Sequence, residues 1–370
     1  MMIRILHVVS TLNINAGMMS VIMNYYRNIN RDEIQFDFLY FGKMTDTHQN
    51  EIERLGGRTY YMPHRTLKPS DQRELRRFFH EHEGEFAAVH CHPIWASIVI
   101  GNAAKRSGIR HVIQHAHSTK FSEKRLSAAR NRLLMKFVRM FATDFIACND
   151  EAKYLFGKKT AQSGNVYILP NSIQVENYIF DEGLRNSIRT EFGVQCDTLV
   201  IGSVGRLSPE KNQCFIIEMY NALRKNVPNS KLVLVGDGPY RREVEEKIEL
   251  LRLNGDVLLT GKRRDIQAVL SGFDLFIMPS FFEGTPVSML EARTSGLPCL
   301  LSDSITKSVA MDGVRYLSLS ESPERWAEEA VRFASEWKTR DRCDYSEVVR
   351  HGFDITKEAE GLQDYYLGLK

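Results

Sequence analysis

Two carboxylates, Glu283 and Glu291, are separated by seven residues in the run Phe282-Glu283-Gly284-Thr285-Pro286-Val287-Ser288-Met289-Leu290-Glu291-Ala292. The segments on either side, Asp274 to Ser280 (DLFIMPS) and Pro298 to Asp303 (PCLLSD), have the length and composition of buried parallel strands. Between them the spacing predicts one helix, with Thr285 as N-cap, Pro286 at the first helical position, and Gly296 followed by Pro298 closing it. Amides of its first turn and the positive end of its dipole suit a phosphate at the carboxyl edge of a parallel sheet. Glu283 then faces whatever hangs from the phosphate, and Glu291 is placed to chelate two vicinal hydroxyls, as on a ribose. Two isolated glutamates on an ordinary amphipathic helix give the same pattern, so the weight falls on the neighbours.

A strand Leu199 to Val204 runs into Gly205-Arg206-Leu207-Ser208-Pro209-Glu210-Lys211-Asn212, with a helix from about Gln213. That turn puts Arg206 and Lys211 over the carboxyl edge, where a forked guanidinium and an ammonium neutralise a diphosphate leaving group without a metal. A strand Lys231 to Val235 ends in Gly236-Asp237-Gly238-Pro239, whose glycines allow positive φ or close approach to a ligand. Near the start, Ser10 to Ser20 joins a strand to a helix, and Gly17 would let backbone amides face a cleft. No Gly-x-Gly-x-x-Gly opens a helix after a first strand and no Gly-x-x-x-x-Gly-Lys-Ser/Thr is present, so dinucleotide and P-loop chemistry fit poorly. Histidines pair as His90-Cys91-His92 and His115-Ala116-His117 at strand ends. Side-chain alternation along an extended strand is taken to separate the members of each pair, so no metal is expected. A single histidine, His117 in preference to His115, is expected to orient or deprotonate an acceptor hydroxyl.

The elements that must position these groups are legible as alternating apolar runs and amphipathic stretches, the mark of parallel sheets covered by helices. Strands are predicted at 3–10, 36–41, 58–62, 87–90, 111–115, 144–148 and 166–169, then at 199–204, 231–235, 257–259, 275–278, 298–302 and 315–317. Two doubly wound domains follow, 1–172 and 173–345, with a helix from about 346 to 370 packing back on the first. At 370 residues and 43% hydrophobic, the chain can bury large cores. No run approaches the roughly 18 apolar residues of a membrane span, the first residues read as a buried strand, and the scattered cysteines read as reduced core thiols of a cytoplasmic protein. The net charge of +3 conceals an asymmetry, because residues 1–170 carry 24 Lys and Arg against 15 Asp and Glu. Much of that excess lies in Lys120 to Arg139, with seven basic residues, one acid, and Leu126, Leu133, Leu134, Phe137 and Val138 near one helical face. Such a helix either packs on the core with a solvated basic face or rests on an anionic membrane surface.

Taken together, these residues resemble the retaining, nucleotide-sugar-dependent glycosyltransferases of the GT-B fold, family GT4 or "glycosyl transferases group 1". The resemblance covers nearly the whole chain: Glu283 to Pro298, Gly205-Arg206-Leu207 through Lys211-Asn212, Leu234 to Pro239, Gly261 with Asp265, and Pro170-Asn171 match in order and spacing. Met23-Asn24-Tyr25-Tyr26-Arg27, Phe36-Asp37-Phe38 and Leu297 to Asp303 bring it nearest to bacterial exopolysaccharide and capsule enzymes. It implies two facing Rossmann-like domains with a cleft between them: the first binds the acceptor and the second the donor. The implied reaction moves a sugar from a nucleoside diphosphate sugar, a UDP-sugar first, to a hydroxyl of a glycan or polyprenyl-diphosphate-linked oligosaccharide, with retention and no metal or other cofactor. Glu283 would contact the donor sugar and Glu291 the ribose. The N–H groups around Gly284, Thr285, Pro286 and Val287, of which the proline itself has none, would stabilise the diphosphate with Arg206 and Lys211, alongside Gly236 and Asp237. His117 would adjoin the acceptor and the Gly17 loop would close on the phosphates. The resemblance implies a cytoplasmic enzyme at the inner face of the plasma membrane, with no nucleic-acid partner. Three departures stand out: Ala16-Gly17 replaces paired glycines, Asn171-Ser172-Ile173-Gln174 replaces Asn-Gly-Ile-Asp, and Thr285 stands where a large apolar residue is frequent. The competing readings are a UDP-sugar 2-epimerase on the same fold and an inactive nucleotide-sugar-binding partner subunit.

Overall fold

The computed structural model describes residues 2–14, 16–42, 45–63, 68–119, 121, 125–337 and 345–369. They form two compact units, Met1–Ser172 with Ile355–Lys370, and Ile173–Asp354. The first unit is built on β1 (Ile3–Thr11), β2 (Ile34–Gly42), β3 (Thr59–Tyr61), β4 (Phe86–Cys91), β5 (His111–Ala116), β6 (Asp144–Ala147) and β7 (Val166–Ile168). The second is built on β8 (Leu199–Val204), β9 (Ser230–Val235), β10 (Val257–Gly261), β11 (Leu275–Met278), β12 (Cys299–Ser302) and β13 (Val314–Leu317). Every predicted strand is present. Each unit holds one all-parallel sheet, ordered β3-β2-β1-β4-β5-β6-β7 and β10-β9-β8-β11-β12-β13. Parallel strands need crossovers, and the intervening helices cover both faces, which is why the strands read as unbroken Val, Ile and Leu runs.

Both sheets reverse direction of growth at one place, between β1 and β4 in the first and between β8 and β11 in the second. At such a point the loops leaving adjacent strands diverge to opposite faces and leave a crevice at the carboxyl edge. In the second unit the two faces are packed by separate apolar clusters, one around Phe273, Phe276, Met289 and Leu290 and the other around Ile216, Tyr220, Leu232 and Trp326. Gly202 on β8 is required by that packing, since a Cβ there would fall 1.9 Å from the Phe273 ring.

The expected terminal helix is two helices. Ser346–Arg350 belongs to the second unit, where Asp312 N–H donates to Glu347, and only Ile355–Leu367 packs in the first, where Tyr366 is fully buried. His351 caps the shorter helix and Gly352, at φ 77°, turns the chain out of it. The cysteines are less uniform than expected: Cys91, Cys148 and Cys299 are buried, Cys214 is half-buried and Cys196 is exposed. Cys343, Lys120 and Lys124 lie outside the described residues. No described helix is long and apolar enough to cross a membrane.

Candidate functional site

In the second unit the turns after β8 and β11 meet. Beyond β8 the chain passes through Gly205 and the exposed Arg206 into a single helical turn, Pro209–Lys211. Asn212 then adopts left-handed geometry at φ 58°, a conformation a short amide side chain tolerates, and Gln213–Leu223 begins. The Asn212 side chain donates to Pro279 O at 3.2 Å, and Phe281 N–H donates to Glu210 O at 2.9 Å. These bonds fix the two turns against each other, and the Lys211 ammonium pairs with the Glu283 carboxylate across the join. Arg206 forms no ion pair among the described residues, so its guanidinium remains available at the same edge.

Gly236 and Gly238 serve this join. Gly236 has φ 133° and a Cβ on it would lie 1.9 Å from Gly205 O, while one on Gly238 would lie 2.2 Å from Leu207 O. Leu207 N–H donates to Asp237 O at 3.2 Å and Tyr240 N–H to Leu207 O at 3.1 Å. The glycines thus let the loop after β9 press against the Arg206 turn. Asp237 turns inward on its own loop, accepting from Gly238 N–H at 2.8 Å.

The helix between β11 and β12 runs Val287–Thr294, one residue later than expected, with Pro286 at the N-cap in extended geometry and Thr285 buried ahead of it. Its leading amides lack intrahelical partners, as at every helix start. Its end is as expected: Gly296 takes φ 73°, and Leu297 N–H donates to Ala292 O at 3.0 Å in a Schellman-type closure. Glu291 lies one turn in. Burial pushes its carboxyl up to about 7, opposed by a hydrogen bond from Tyr178. Tyr178 comes from the short turn Val175–Tyr178 and went unnoticed in the sequence, because that stretch reads only as irregular and polar.

In the first unit the histidines gather at the β1/β4 reversal. The expectation that strand alternation separates each His-x-His pair fails, because residues two apart on a strand share a face. His90 and His92 stack with ring centres 4.4 Å apart, and His115 and His117 at 3.8 Å. His7, paired in register with His90, completes the group and was not picked out in the sequence, where it looks like one polar residue in an apolar strand. Desolvation lowers all five pKa values, those of His7 and His117 to about 3, so the cluster is neutral. His92, His115 and His117 line a pocket of about 350 Å³ together with Trp95, Phe121 and Arg130. Gly17 opens the helix Gly17–Asn28, with open space where a side chain would be, and its neighbour Met18 lines the same pocket.

Arg130 belongs to the helix Arg125–Phe141, which packs on the core through Met135 and Val138 with its basic residues exposed, as the core-packing alternative expects, and also exposes an apolar stripe. Met135 and Val138 are buried, whereas Leu126, Leu133, Phe137 and Met140 are 88%, 55%, 47% and 67% exposed. Their spacing of seven, four and three residues puts them in one stripe on the outer face, with exposed Arg130, Arg132, Lys136 and Arg139 beside it.

The model of the family described as glycosyl transferases group 1 matches residues 185–347, which hold Arg206, Lys211, Gly236, Asp237, Glu283 and Glu291. Across 98% of this chain and 96% of its own length, the "Putative glycosyltransferase EpsF" of Bacillus subtilis (strain 168) is 33% identical. An Escherichia coli UDP-Gal:alpha-D-GlcNAc-diphosphoundecaprenol alpha-1,3-galactosyltransferase is 30% identical over 59% of this chain and 58% of its own. Among solved structures, Anabaena HepE in complex with UDP superposes over 100% of both chains with a TM-score of 0.80 at 18% identity. The sucrose-phosphate synthase of Thermosynechococcus elongatus covers 99% of both with a TM-score of 0.77 at 14% identity. The chain belongs to the group 1 glycosyltransferases and has their GT-B architecture of two Rossmann-like units. It is a glycosyltransferase enzyme.

Glu291 gives the site a pH signature. An acid whose pKa is higher folded than unfolded binds its proton more tightly in the native state, so native stability falls as pH rises from 4.5 to about 7. Replacing Glu291→Gln removes that loss. Urea denaturation should show the variant gaining on the parent across this window, by on the order of 1–3 kcal/mol, with no further gain above it. Parallel stability curves for the two proteins would contradict the assignment.

Proposed function

We propose that this enzyme transfers a sugar, with retention, from a nucleoside diphosphate sugar to a hydroxyl of a glycan or lipid-linked oligosaccharide in the assembly of a bacterial polysaccharide. The observation that carries the reading is the Lys211–Glu283 pair, held at the strand-order reversal of the second sheet beside the exposed Arg206 and the opening turn of the Val287–Thr294 helix. Cations, helix amides and a carboxylate converge there, at the edge where this class of sheet takes its ligands. Arg206 and Lys211 carry the diphosphate as charge develops on it, with the N–H groups of Gly284, Thr285 and Val287. No metal is needed for that charge balance. Glu283, released from Lys211 as the phosphates arrive, accepts hydrogen bonds from the donor sugar. Glu291 takes the ribose hydroxyls, and Gly236 and Asp237 support the nucleotide side. The UDP reading is supported by the ligand in the HepE complex and by the donor in the name of the E. coli galactosyltransferase. Neither glutamate is assigned as nucleophile or base.

The acceptor belongs to the first unit, in the pocket beside His117. Arg130 joins that pocket to the exposed apolar stripe of Arg125–Phe141, an arrangement suited to a diphosphate head with its lipid chain at an anionic membrane face. The diphosphoundecaprenol in the name of the E. coli relative is of this chemistry. The helix would thus hold the enzyme peripherally at the cytoplasmic face.

Removing one preorganised charge of the leaving-group site typically lowers the rate by about 10² to 10³. Lys211→Ala and Glu283→Ala should each reduce transfer from a UDP-sugar by at least that factor with circular dichroism unchanged, and full activity in both would sink the site assignment. A second experiment concerns the outer helix. Leu133→Ser with Phe137→Ser, and separately Arg132→Glu with Lys136→Glu, should each reduce co-sedimentation with phosphatidylglycerol-containing vesicles, and binding unchanged in both would remove the membrane role.

A further inference from the structure

The histidine cluster of the first unit is two hydrogen-bonded rows laid one on the other. In the first row His7 Nδ1 meets His92 Nε2 at 2.9 Å, and His92 Nδ1 meets His117 Nε2 at 2.7 Å. In the second, the Tyr366 hydroxyl meets His90 Nδ1 at 2.6 Å, and His90 Nε2 meets His115 Nδ1 at 3.2 Å. The rows stack at His90 on His92 and at His115 on His117. Three buried ring nitrogens of the cluster have no partner among the described residues: His7 Nε2, His115 Nε2 and His117 Nδ1. Buried polar atoms without partners are rare, and two of these three belong to rings that line the pocket.

The nitrogens lie close enough together, within 4.8 Å in two sets of three, to suggest a metal. The ring planes argue otherwise. Neighbours within a row are tilted by 13° to 31° and meet nitrogen to nitrogen at hydrogen-bond distances, while rings of the two rows lie face to face. Lone pairs lie in the ring planes, so stacked rings direct theirs side by side and cannot aim them at one ion.

Proton bookkeeping then restricts the rows. A neutral imidazole has one N–H and one lone pair, and each bond within a row uses one of each, so a row points wholly one way or wholly the other. The Tyr366 hydroxyl is fully buried, and His90 is its one hydrogen-bond partner among the described residues. The phenol therefore donates to His90 Nδ1, His90 Nε2–H donates to His115 Nδ1, and His115 is left with its proton on Nε2. Stacked dipoles favour opposite directions, so the first row runs inward: His117 Nε2–H donates to His92 and His92 Nε2–H to His7. The His7 Nε2–H is then at the inner end, on a ring whose centre lies 4.2 Å from that of Phe36. At the outer ends His115 offers a donor and His117 a bare lone pair.

We propose that this donor–acceptor pair, His115 Nε2–H and His117 Nδ1, holds the attacking hydroxyl of a sugar acceptor, and that Tyr366, His90, His92 and His7 are positioning residues that fix its polarity. A hydroxyl both accepts and donates, so it satisfies the two orphan nitrogens at once and has its proton directed onto His117. The inference rests on the acceptor pocket assigned above, and it makes the terminal helix that carries Tyr366 part of the acceptor machinery.

Selective ¹⁵N labelling of histidine tests it on the unliganded protein, because the tautomer of each ring is read from its nitrogen shifts and two-bond couplings. The expected result is five neutral rings from about pH 6 to about pH 8, with His115 and His117 both protonated on Nε2. Tyr366→Phe should turn His115 into a mixture of tautomers that added zinc does not restore, while His117 is little changed. A proton on His117 Nδ1, a proton on His115 Nδ1 in the parent, or an equivalent of zinc retained through gel filtration would each overturn the proposal. Calorimetric titration of the same sample with UDP reads the donor site separately, so failure of the histidine rows and failure of the glycosyltransferase chemistry are told apart.

Discussion

Both halves of this enzyme depend on one constraint: in an open parallel sheet the loops that leave two adjacent strands can diverge only where the strand order reverses. In the second unit that point lies between β8 and β11, and it brings Lys211 onto Glu283 although 72 positions separate them in the chain. The ion pair does not create the join. The join is made by a backbone bond from Phe281 to Glu210, by the Asn212 side chain donating to Pro279 O, and by glycines at 236 and 238 that let a third loop close against Leu207. Charge is then concentrated on a rigid edge, which is what stabilisation of a departing diphosphate requires, since oriented groups need no reorganisation as charge develops.

The same reversal between β1 and β4 gives the first unit a different outcome. Direct register between His7 and His90 places a histidine on each of the two strands, and a third strand adds His115. Burial keeps the group neutral, and neutral imidazoles can satisfy one another only in directional rows. One unit thus offers a cationic edge suited to phosphates and the other a neutral edge suited to hydroxyls. On the proposed reading, the division of donor from acceptor follows from desolvation and strand order, with no difference in topology at the reversal itself.

Much of this was legible in the sequence. Strands buried on both faces are continuous apolar runs, so segments such as DLFIMPS were found nearly to the residue, and Gly296 before Pro298 marked the helix end because glycine takes the left-handed closure without a Cβ penalty. The start of that helix was missed by one residue, since Thr285 and Pro286 are both good N-terminal residues and tertiary burial of Thr285 decided between them. Periodicity in Arg125–Phe141 put Val138 on one face with Leu126, Leu133 and Phe137 but could not show which side meets the core, where Val138 is buried with Met135 and the other three are exposed. The histidine rows were hidden for a different reason. Cross-strand register and the return of Tyr366 from the far end of the chain are tertiary facts, and period-two geometry puts His90 and His92 together where they had been judged apart.

The central claim is that the edge formed by Arg206, Lys211, Glu283 and the Val287–Thr294 helix is a nucleoside diphosphate site. Ligands that bind only the native state raise its stability by mass action, by about 2.7 kcal/mol at a hundredfold excess over the dissociation constant. The most direct measurement is therefore a thermal-unfolding titration of the purified protein with UDP, GDP and ADP without added metal. The account predicts a concentration-dependent rise in the midpoint with UDP that exceeds the response to the other two; an unchanged midpoint with all three would contradict it.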